Sequence, residues 1–258
     1  MTDSHGSNAL TNNNSVTFVA AKVANGADLE TDTDMSLSVA DVASLDITGD
    51  MSISMWWKYE TDIDAGLISK FGASGNRSWR IYKDSVGDTI IFSVTDDGTT
   101  MNDVTWAHAA SNATWYHYVL TYTASTHLAE LWIDGVSQTA KDVIDTSIFN
   151  STSALYIGAD EGTPTNSQDG VVDEVGIWSK VLNSGEIAQL YNAGAGFAYA
   201  SFSDNPTITE TQATTDTNAM GVGFTNSETQ ATTDSDNVKV GFSNTSKSAS
   251  TWSNTQKS

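Results

Sequence analysis

The stretch DGVVDEVGIWSKVLNSGEIAQLYNAG, residues 169–194, decides the fold of this chain. Apolar and polar residues alternate over its first ten positions, which predicts a strand with one face in a core. The alternation predicts that Asp173 shares its face with Val175 and Ile177. Three other residues then occupy the opposite face: Val172, Glu174 and Trp178.

A short helix is predicted to follow this strand after a turn. Asn183 or Ser184 can cap its N-terminus. Glu186 lies in the first turn, where the helix dipole favours a negative charge. Apolar residues recur at helical spacing as far as Tyr191, and Gly194 is suited to the position that ends a helix.

Further strands are predicted throughout residues 16–200, separated by turns rich in Gly, Asp, Asn and Ser. This spacing is typical of an all-β sandwich. In MSISMWWKY, residues 51–59, the alternation places Ile53 and Trp57 in a core and Trp56 on the sheet surface. The other clear strands are SWRIYK (78–83), DTIIFSV (88–94), TWYHYVLTYT (114–123), AELWIDG (129–135) and SALYIGA (153–159).

The chain divides into three predicted segments: an N-terminal arm (1–15), the sandwich domain (16–200) and a Ser/Thr-rich C-terminal tail (201–258). The tail repeats ETQATTDTNAMGVGFTN, residues 210–226, as ETQATTDSDNVKVGFSN, residues 228–244. The repeats predict either short strands that anchor the chain to other subunits of an assembly or a solvated, disordered tail.

The chain is strongly acidic, with a formal net charge of −21, and it has no cysteine. Such a surface repels phosphate backbones and anionic membranes, so we expect no nucleic-acid partner and no membrane insertion. Disulfides and cysteine-ligated metals are excluded. The acidic residues serve either solubility, including in a salty environment, or sites for divalent cations.

Five segments, in this order, resemble laminin-G-like and pentraxin-like domains of the concanavalin A-like lectin/glucanase superfamily. They are SLDITGDMSISMWWK (44–58), GLISKFG (66–72), ATWYHYVLTYTASTHLAELWIDGV (113–136), LYIGAD (155–160) and the stretch 169–194. The resemblance implies an all-β, two-sheet jelly-roll sandwich with one short C-terminal helix.

A structural Ca²⁺ is the one cofactor that this resemblance implies. In related domains the position of Asp173 often ligates Ca²⁺ together with an N-terminal carboxylate and backbone carbonyls. Candidate partners in this chain are Asp28, Glu30, Asp32 and Asp34. Hydrogen bonding of Asp173 by backbone amides is the alternative, because a carboxylate on a core face needs some partner.

Four aromatic residues are candidates for glycan binding, because an exposed ring can stack on a sugar. They are Trp56, Trp79, Tyr82 and Trp106. Packing of Trp56 beneath a loop or a neighbouring strand is the alternative.

Two further groups could hold a ligand-binding Ca²⁺, which in pentraxin-like domains lies among loops near one rim, and ordinary turn chemistry is the alternative. Asp160, Glu161 and Asp169 flank one loop, and Asp96, Asp97 and Asn102 lie in another. The stretch Glu60-Thr-Asp62-Ile-Asp64 resembles the carboxylate box of concanavalin-like glucanases, but its last position is Asp rather than Glu. We therefore expect no catalytic residues.

Two functions follow, and both are non-enzymatic. The first is a structural or decorating protein of a virion or extracellular assembly that displays the sandwich, is anchored by its arms and can bind cell-surface glycans. It fits a start, MTDSHGSNALTNNNS, that lacks the features of a classical signal peptide. The second is a secreted or cell-surface, Ca²⁺-dependent carbohydrate-binding module. A glycoside hydrolase is disfavoured.

Overall fold

The computed structural model describes residues 8–160 and 167–199, which contain fifteen strands and one α-helix. The strands are β1 Thr11–Asn13, β2 Thr17–Ala20, β3 Asn25–Leu29, β4 Ser36–Val39, β5 Met51–Thr61, β6 Ala65–Phe71, β7 Arg77–Asp84, β8 Thr89–Val94, β9 Asn102–Ala107, β10 Trp115–Thr123, β11 Leu128–Ile133, β12 Val136–Ser137, β13 Lys141–Asp142, β14 Leu155–Ile157 and β15 Asp169–Trp178. The helix α1 is Ser184–Tyr191, and one-turn 3₁₀ helices lie at Thr31–Thr33, Ala43–Leu45 and Asn192–Gly194.

Two antiparallel sheets pack face to face. The seven-stranded sheet has the order β1-β4-β14-β6-β7-β8-β9, and the eight-stranded sheet has the order β12-β11-β10-β5-β15-β3-β2, with β13 also paired to β11. Large apolar side chains from both inner faces, such as Trp57 and Phe92, form one core. The predicted two-sheet jelly roll is confirmed.

A β-bulge in β15 changes which residues face the core. Asp173 lies opposite Trp56, and Gly176 lies opposite Ser54, so β15 has two residues where β5 has one. The extra residue is accommodated at Glu174, whose φ is 45°. Asp173 therefore lies on the outer face of the sheet, and the prediction that it shares a face with Val175 is wrong. Strict alternation fails wherever a bulge inserts one residue.

The helix α1 covers part of the outer face of the eight-stranded sheet. Asn183 is its N-cap, since the Asn183 side chain accepts from the amides of Gly185 and Glu186 while Glu186 accepts from the Asn183 amide. Asn192, in the left-handed region with φ 48°, ends the helix before Gly194. Side chains of α1 and of the segment 192–199 form a second apolar cluster with the outer face of the sheet: Val119, Leu182, Ile187, Leu190 and Tyr199.

The outer face of the seven-stranded sheet is polar at its centre. Side chains of β7, β8 and β9 that point away from the core alternate with the buried ones, as the strand period requires. On this face Asp103 and Thr105 are exposed, whereas Tyr82 and Ile91 are partly buried.

Within the segment predicted to be an N-terminal arm, residues 11–13 form β1 and pair with β4 at the edge of the seven-stranded sheet. Other predictions concern residues 1–7, Glu161 and the tail from residue 201 onwards, which lie outside the described residues. Among the residues described, no helix is long and apolar enough to cross a membrane.

Candidate functional site

Trp56, the leading glycan-binding candidate, is only 1% exposed. Its ring lies 4.8 Å from that of His117 and 5.7 Å from that of Tyr191, and the ammonium of Lys22 lies 4.2 Å from its centroid. Alternation correctly placed Trp56 on the outer face of β5. The chain returns over that face as Tyr191 and the residues that follow, so the prediction of an exposed ring is wrong and the packing alternative is correct.

Two more of the aromatic candidates belong to the core between the sheets. Trp79 and Trp106 are buried among the inward-facing side chains, and the indole Nε1 of Trp106 donates to the carbonyl of Thr139 at 2.8 Å. Neither ring has a face that a sugar could reach. Tyr82, the fourth candidate, is partly exposed on the outer face of the seven-stranded sheet.

Tyr82 lies beside an arginine that is held between two aromatic rings. The guanidinium carbon of Arg80 is 4.7 Å from the ring centroid of Phe71 and 5.1 Å from that of Tyr82. These distances are those of cation–π contacts. Arg80 and Tyr82 share this face because they are two positions apart on β7.

Hydrogen bonds fix the same guanidinium in its plane. Arg80 Nη1 donates to Asp160 Oδ2 at 2.5 Å, and Arg80 Nε donates to Ser93 Oγ at 3.2 Å. The backbone at Asp160 is itself held, since Ser69 Oγ donates to the carbonyls of Ala159 and Asp160. We call Phe71, Arg80, Tyr82, Ser93 and Asp160 the Arg80 site.

The Arg80 site combines an aromatic surface with charged hydrogen-bonding groups. The Arg80 side chain is 23% exposed, whereas that of Asp160 is 6% exposed. Among residues 8–160 and 167–199, hydrogen bonds of Arg80 are found at Nε and Nη1 and not at Nη2. Asp103, opposite Ser93 in the sheet, adds an exposed carboxylate. Burial and then the charges of Asp64 and Asp160 raise the pKa of Tyr82, so its hydroxyl remains protonated.

The sequence contained the signal for this site. SWRIYK was predicted as a strand, and its alternation places Arg80 and Tyr82 on one face opposite Trp79 and Ile81. The sequence does not predict that Asp160, which follows a distant strand, contacts Arg80. It also does not predict the position of Phe71, which pairs with Arg77 beside a bulge.

Three carboxylates form a second candidate site at one end of the eight-stranded sheet. One oxygen each from Asp28, Glu30 and Glu60 lie within 4.8 Å of one another, and we call these residues the acidic cluster. The strand β15 joins β3 to β5 there, and Gly170 allows the close approach, since a Cβ on it would lie 2.2 Å from the carbonyl oxygen of Lys58.

In the acidic cluster one carboxylate oxygen lacks a hydrogen-bond partner within the described residues, and the negative charges repel one another. Asp28 Oδ1 is buried and has no hydrogen-bond partner among the residues that the structure describes. Burial, followed by the charges of Asp169, Asp28, Glu60 and Asp32, raises the pKa of Glu30. Oxygen donors of this kind suit Ca²⁺. The sequence pattern predicts Asp28, Glu30 and Asp32 as ligands but not Glu60, because Glu60 lies in the stretch that resembles a catalytic box.

Asp173 does not join this group. Its carboxylate accepts from the amides of Val23 at 2.7 Å and Glu174 at 2.9 Å. Burial is the main cause of its raised pKa, and these backbone hydrogen bonds act in the opposite direction. The alternative of backbone hydrogen bonding therefore describes Asp173, and the prediction that it shares a metal with Asp28 and Glu30 is wrong.

In the other loop that was a candidate, Asp97 has local partners whereas Asn102 has a distant one. The Asp97 carboxylate accepts from the amides of Thr99 and Thr100 and from the hydroxyl of Thr95, which lowers the pKa of Asp97. Asn102 donates to Asp145. The contacts of Asp97 fit turn chemistry.

The three carboxylates of the glucanase-like box, Glu60, Asp62 and Asp64, each have different neighbours. Glu60 lies in the acidic cluster, Asp62 Oδ1 is 3.3 Å from the ammonium of buried Lys83, and Asp64 accepts from the amide and hydroxyl of Ser85. Retaining hydrolysis needs two carboxyl groups about 5 Å apart that face one cleft. This stretch does not supply such a pair.

Binding domains are among the solved structures with the same fold. The binding domain of Paraclostridial Mosquitocidal Protein 1 has a TM-score of 0.60 and 19% identity, over 73% of this chain and 48% of that chain. The binding domain of botulinum neurotoxin serotype G has a TM-score of 0.56 and 15% identity, over 73% and 47%. The serotype D ligand-binding domain in complex with N-acetylneuraminic acid has a TM-score of 0.57 and 14% identity, over 72% and 46%.

These likenesses concern the fold, and the chain spans about half the length of each of those structures. No curated protein sequence matches the chain. A family model of laminin-G-like domains matches residues 31–188, which include twelve of the fifteen described strands, the Arg80 site and most of α1. The chain therefore belongs to the concanavalin A-like lectin/glucanase superfamily.

Proposed function

We propose that this protein is a non-enzymatic glycan-binding module whose binding surface is the outer face of the seven-stranded sheet at the Arg80 site. The observation that carries the proposal is the guanidinium of Arg80, held between Phe71 and Tyr82 and fixed by Asp160. Such a group is oriented before any ligand arrives, which lowers the entropic cost of binding.

Sugars need the combination that this face offers. The apolar side of a pyranose stacks on an aromatic ring, and its hydroxyls both donate and accept hydrogen bonds. Tyr82 supplies the ring, Arg80 the donors and Asp103 an acceptor. The N-acetylneuraminic acid complex of the serotype D domain supports a sugar of some kind as a ligand for this fold.

A non-enzymatic role is supported by the carboxylates that resemble a glucanase box. Glu60, Asp62 and Asp64 have separate partners, and one of them neutralises a buried lysine. A catalytic pair would have to share one cleft and keep their pKa values apart.

We further propose that the sandwich is displayed by a virion or another extracellular assembly, with its terminal segments contacting other subunits. The repeats at 210–226 and 228–244 support this, because duplicated segments suit repeated contacts. Co-purification with particles in fixed stoichiometry is expected. A stable monomer that never enters particles would favour the alternative of a secreted or cell-surface lectin module.

A divalent cation such as Ca²⁺ at the acidic cluster is a second proposal. Asp28, Glu30 and Glu60 would hold it through carboxylate oxygens. The buried Oδ1 of Asp28, which has no partner within the described part of the chain, supports the fit. The cation would neutralise charges that now repel one another. It would stabilise the junction of β3, β15 and β5 rather than the Arg80 site.

The glycan proposal is tested with the full chain on a printed glycan array. Tyr82→Ala should abolish the binding that the wild type shows. Trp115→Ala is the matched control, since Trp115 is a partly buried aromatic beneath Lys58 and belongs to the other sheet. Equal loss in both variants, or no binding by the wild type, would contradict the proposal.

A further inference from the structure

We infer that the glycan bound at the Arg80 site is uncharged, and that Arg80 acts there as a fixed hydrogen-bond donor rather than as the partner of an acidic sugar. This inference rests on the proposed function. It names the class of ligand: neutral hexoses, deoxyhexoses or N-acetylated hexosamines, as opposed to sialic acids, uronic acids and sulfated sugars.

The positive charge of Arg80 is already matched within the protein. Asp160 forms an ion pair with it at 2.5 Å and is itself nearly buried, so solvent screens this pair weakly. A second carboxylate, from an acidic sugar, would have to share the guanidinium with Asp160. Two carboxylates on one cation repel each other, whereas a hydroxyl or carbonyl oxygen can accept from Nη2 without that cost.

Other carboxylates surround the same face. Asp103 is exposed opposite Ser93, which in turn lies opposite Arg80. Burial is the largest cause of the raised pKa of Tyr82. The charges of Asp64, Asp160 and Asp84 raise this pKa further, and only the charge of Arg80 lowers it. An anionic ligand would approach a surface of its own sign.

Arg77 is the one other arginine of the chain, and it lies at the far end of the site. Its guanidinium carbon is 5.2 Å from the ring centroid of Phe71, and its Nη1 donates to the carbonyl of Thr99 at 3.3 Å. The same loop carries the carboxylate of Asp97, which accepts from the Thr99 amide. Nη1 of Arg77 is therefore engaged by this loop rather than by the carboxylates of the Arg80 site.

Mixed donors and acceptors are what an uncharged sugar requires. Each hydroxyl can donate to a carboxylate such as Asp103 and accept from a guanidinium such as Arg80. The ring stacks on Tyr82 independently of charge. Affinity should then depend little on ionic strength, in contrast to an ion pair formed with an exposed ligand.

The test is an array that carries uncharged, sialylated, uronate-containing and sulfated glycans, followed by titration calorimetry of the strongest binder with the full chain. Raising NaCl from about 0.1 M to about 1 M shortens the Debye length from about 10 Å to about 3 Å. We expect an uncharged glycan, a Kd that changes less than about twofold over this range, and a similar Kd for Arg77→Gln, since no ion pair is broken.

The possible outcomes separate the inference from the proposed function. Binding of an acidic glycan that Tyr82→Ala abolishes would overturn the inference and leave the glycan-binding function standing. A tenfold weaker Kd at high salt or in Arg77→Gln, about 1.4 kcal/mol, would also overturn it. The absence of any glycan binding would overturn both.

Discussion

Arg80 and Asp160 are eighty positions apart in the chain, yet their side chains meet at 2.5 Å on the outer face of the seven-stranded sheet. Arg80 comes from the middle of β7, and Asp160 follows the end of β14. The segment at Asp160 lies over β6 because Gly66 has no side chain there; a Cβ on Gly66 would be 2.6 Å from the Asp160 nitrogen. The Arg80 site therefore depends on the whole sheet being assembled.

Arg80→Lys should weaken glycan binding at least about tenfold, or about 1.4 kcal/mol. Lysine keeps the positive charge but loses the planar fork that bonds Asp160 and Ser93 together and stacks between two rings. Titration calorimetry with the array's strongest binder measures the change. Wild-type affinity in this variant would mean that only the charge matters.

Trp56→Ala should lower the free energy of unfolding by about 3–5 kcal/mol, because a large buried ring leaves a cavity. The ring packs against His117, Tyr191 and Lys22. Urea unfolding measures the loss, and Val86→Ala, at a side chain that is 89% exposed, is the control with little expected effect. The burial of Trp56 argues against a role in glycan binding. A Trp56→Ala variant that keeps wild-type stability but no longer binds glycans would show that Trp56 has such a role.

His117 should make the fold less stable in acid. Burial, and secondarily the charge of Lys22, lowers the pKa of His117 to about 3 in the folded protein, against 6.5 for the unperturbed side chain. The unfolded state therefore binds the proton first, and stability is lost as pH falls from about 6.5 towards about 3. Two neighbouring carboxyls, Asp173 and Glu174, have raised pKa values and act in the opposite direction.

The contribution of His117 is isolated by comparison with His117→Gln. Urea unfolding of both proteins across this pH range should show a steeper loss of stability in the wild type. Ser54 contacts His117 Nε2 at 2.9 Å, so the variant is expected to be less stable at neutral pH as well. Parallel pH profiles for the two proteins would show that His117 does not cause the acid sensitivity.

Saturating Ca²⁺ should raise the melting temperature if the acidic cluster binds it. At about 100 times the Kd the gain is about 2.7 kcal/mol, and a domain of this size gains about 2–4 °C per kcal/mol. Glu30→Gln should remove the response. Asp173→Asn should keep it, since Asp173 is bonded to backbone amides elsewhere. Loss of the response in Asp173→Asn, with the response intact in Glu30→Gln, would reverse the assignment.

The sandwich and its closing helix could be predicted because their signals are local. Alternation identified β5, β7, β8, β10 and β15, and the Asn183 cap was one of two residues named in advance. The faces of single residues were predicted less well. Trp56 was placed on the correct side of its strand, but the sequence does not show that Tyr191 returns to cover it.

The candidate sites depended on contacts between distant residues. The bulge at Glu174 moved Asp173 to the outer face, and nothing in the period-two pattern marks where a bulge occurs. Glu60 reached Asp28 and Glu30 only through the pairing of β5, β15 and β3. Such juxtapositions follow from sheet order and register, which one sequence does not specify.

Arginine-labelled protein tests the central claim most directly, because the chain has only Arg77 and Arg80. The Nε–H signals of the two can be assigned with Arg77→Gln and followed as the array's strongest glycan is added to the full chain. The account predicts that the Arg80 signal shifts in a saturable manner and that Tyr82→Ala abolishes the shift. Glycan binding that leaves the Arg80 signal unchanged would contradict it.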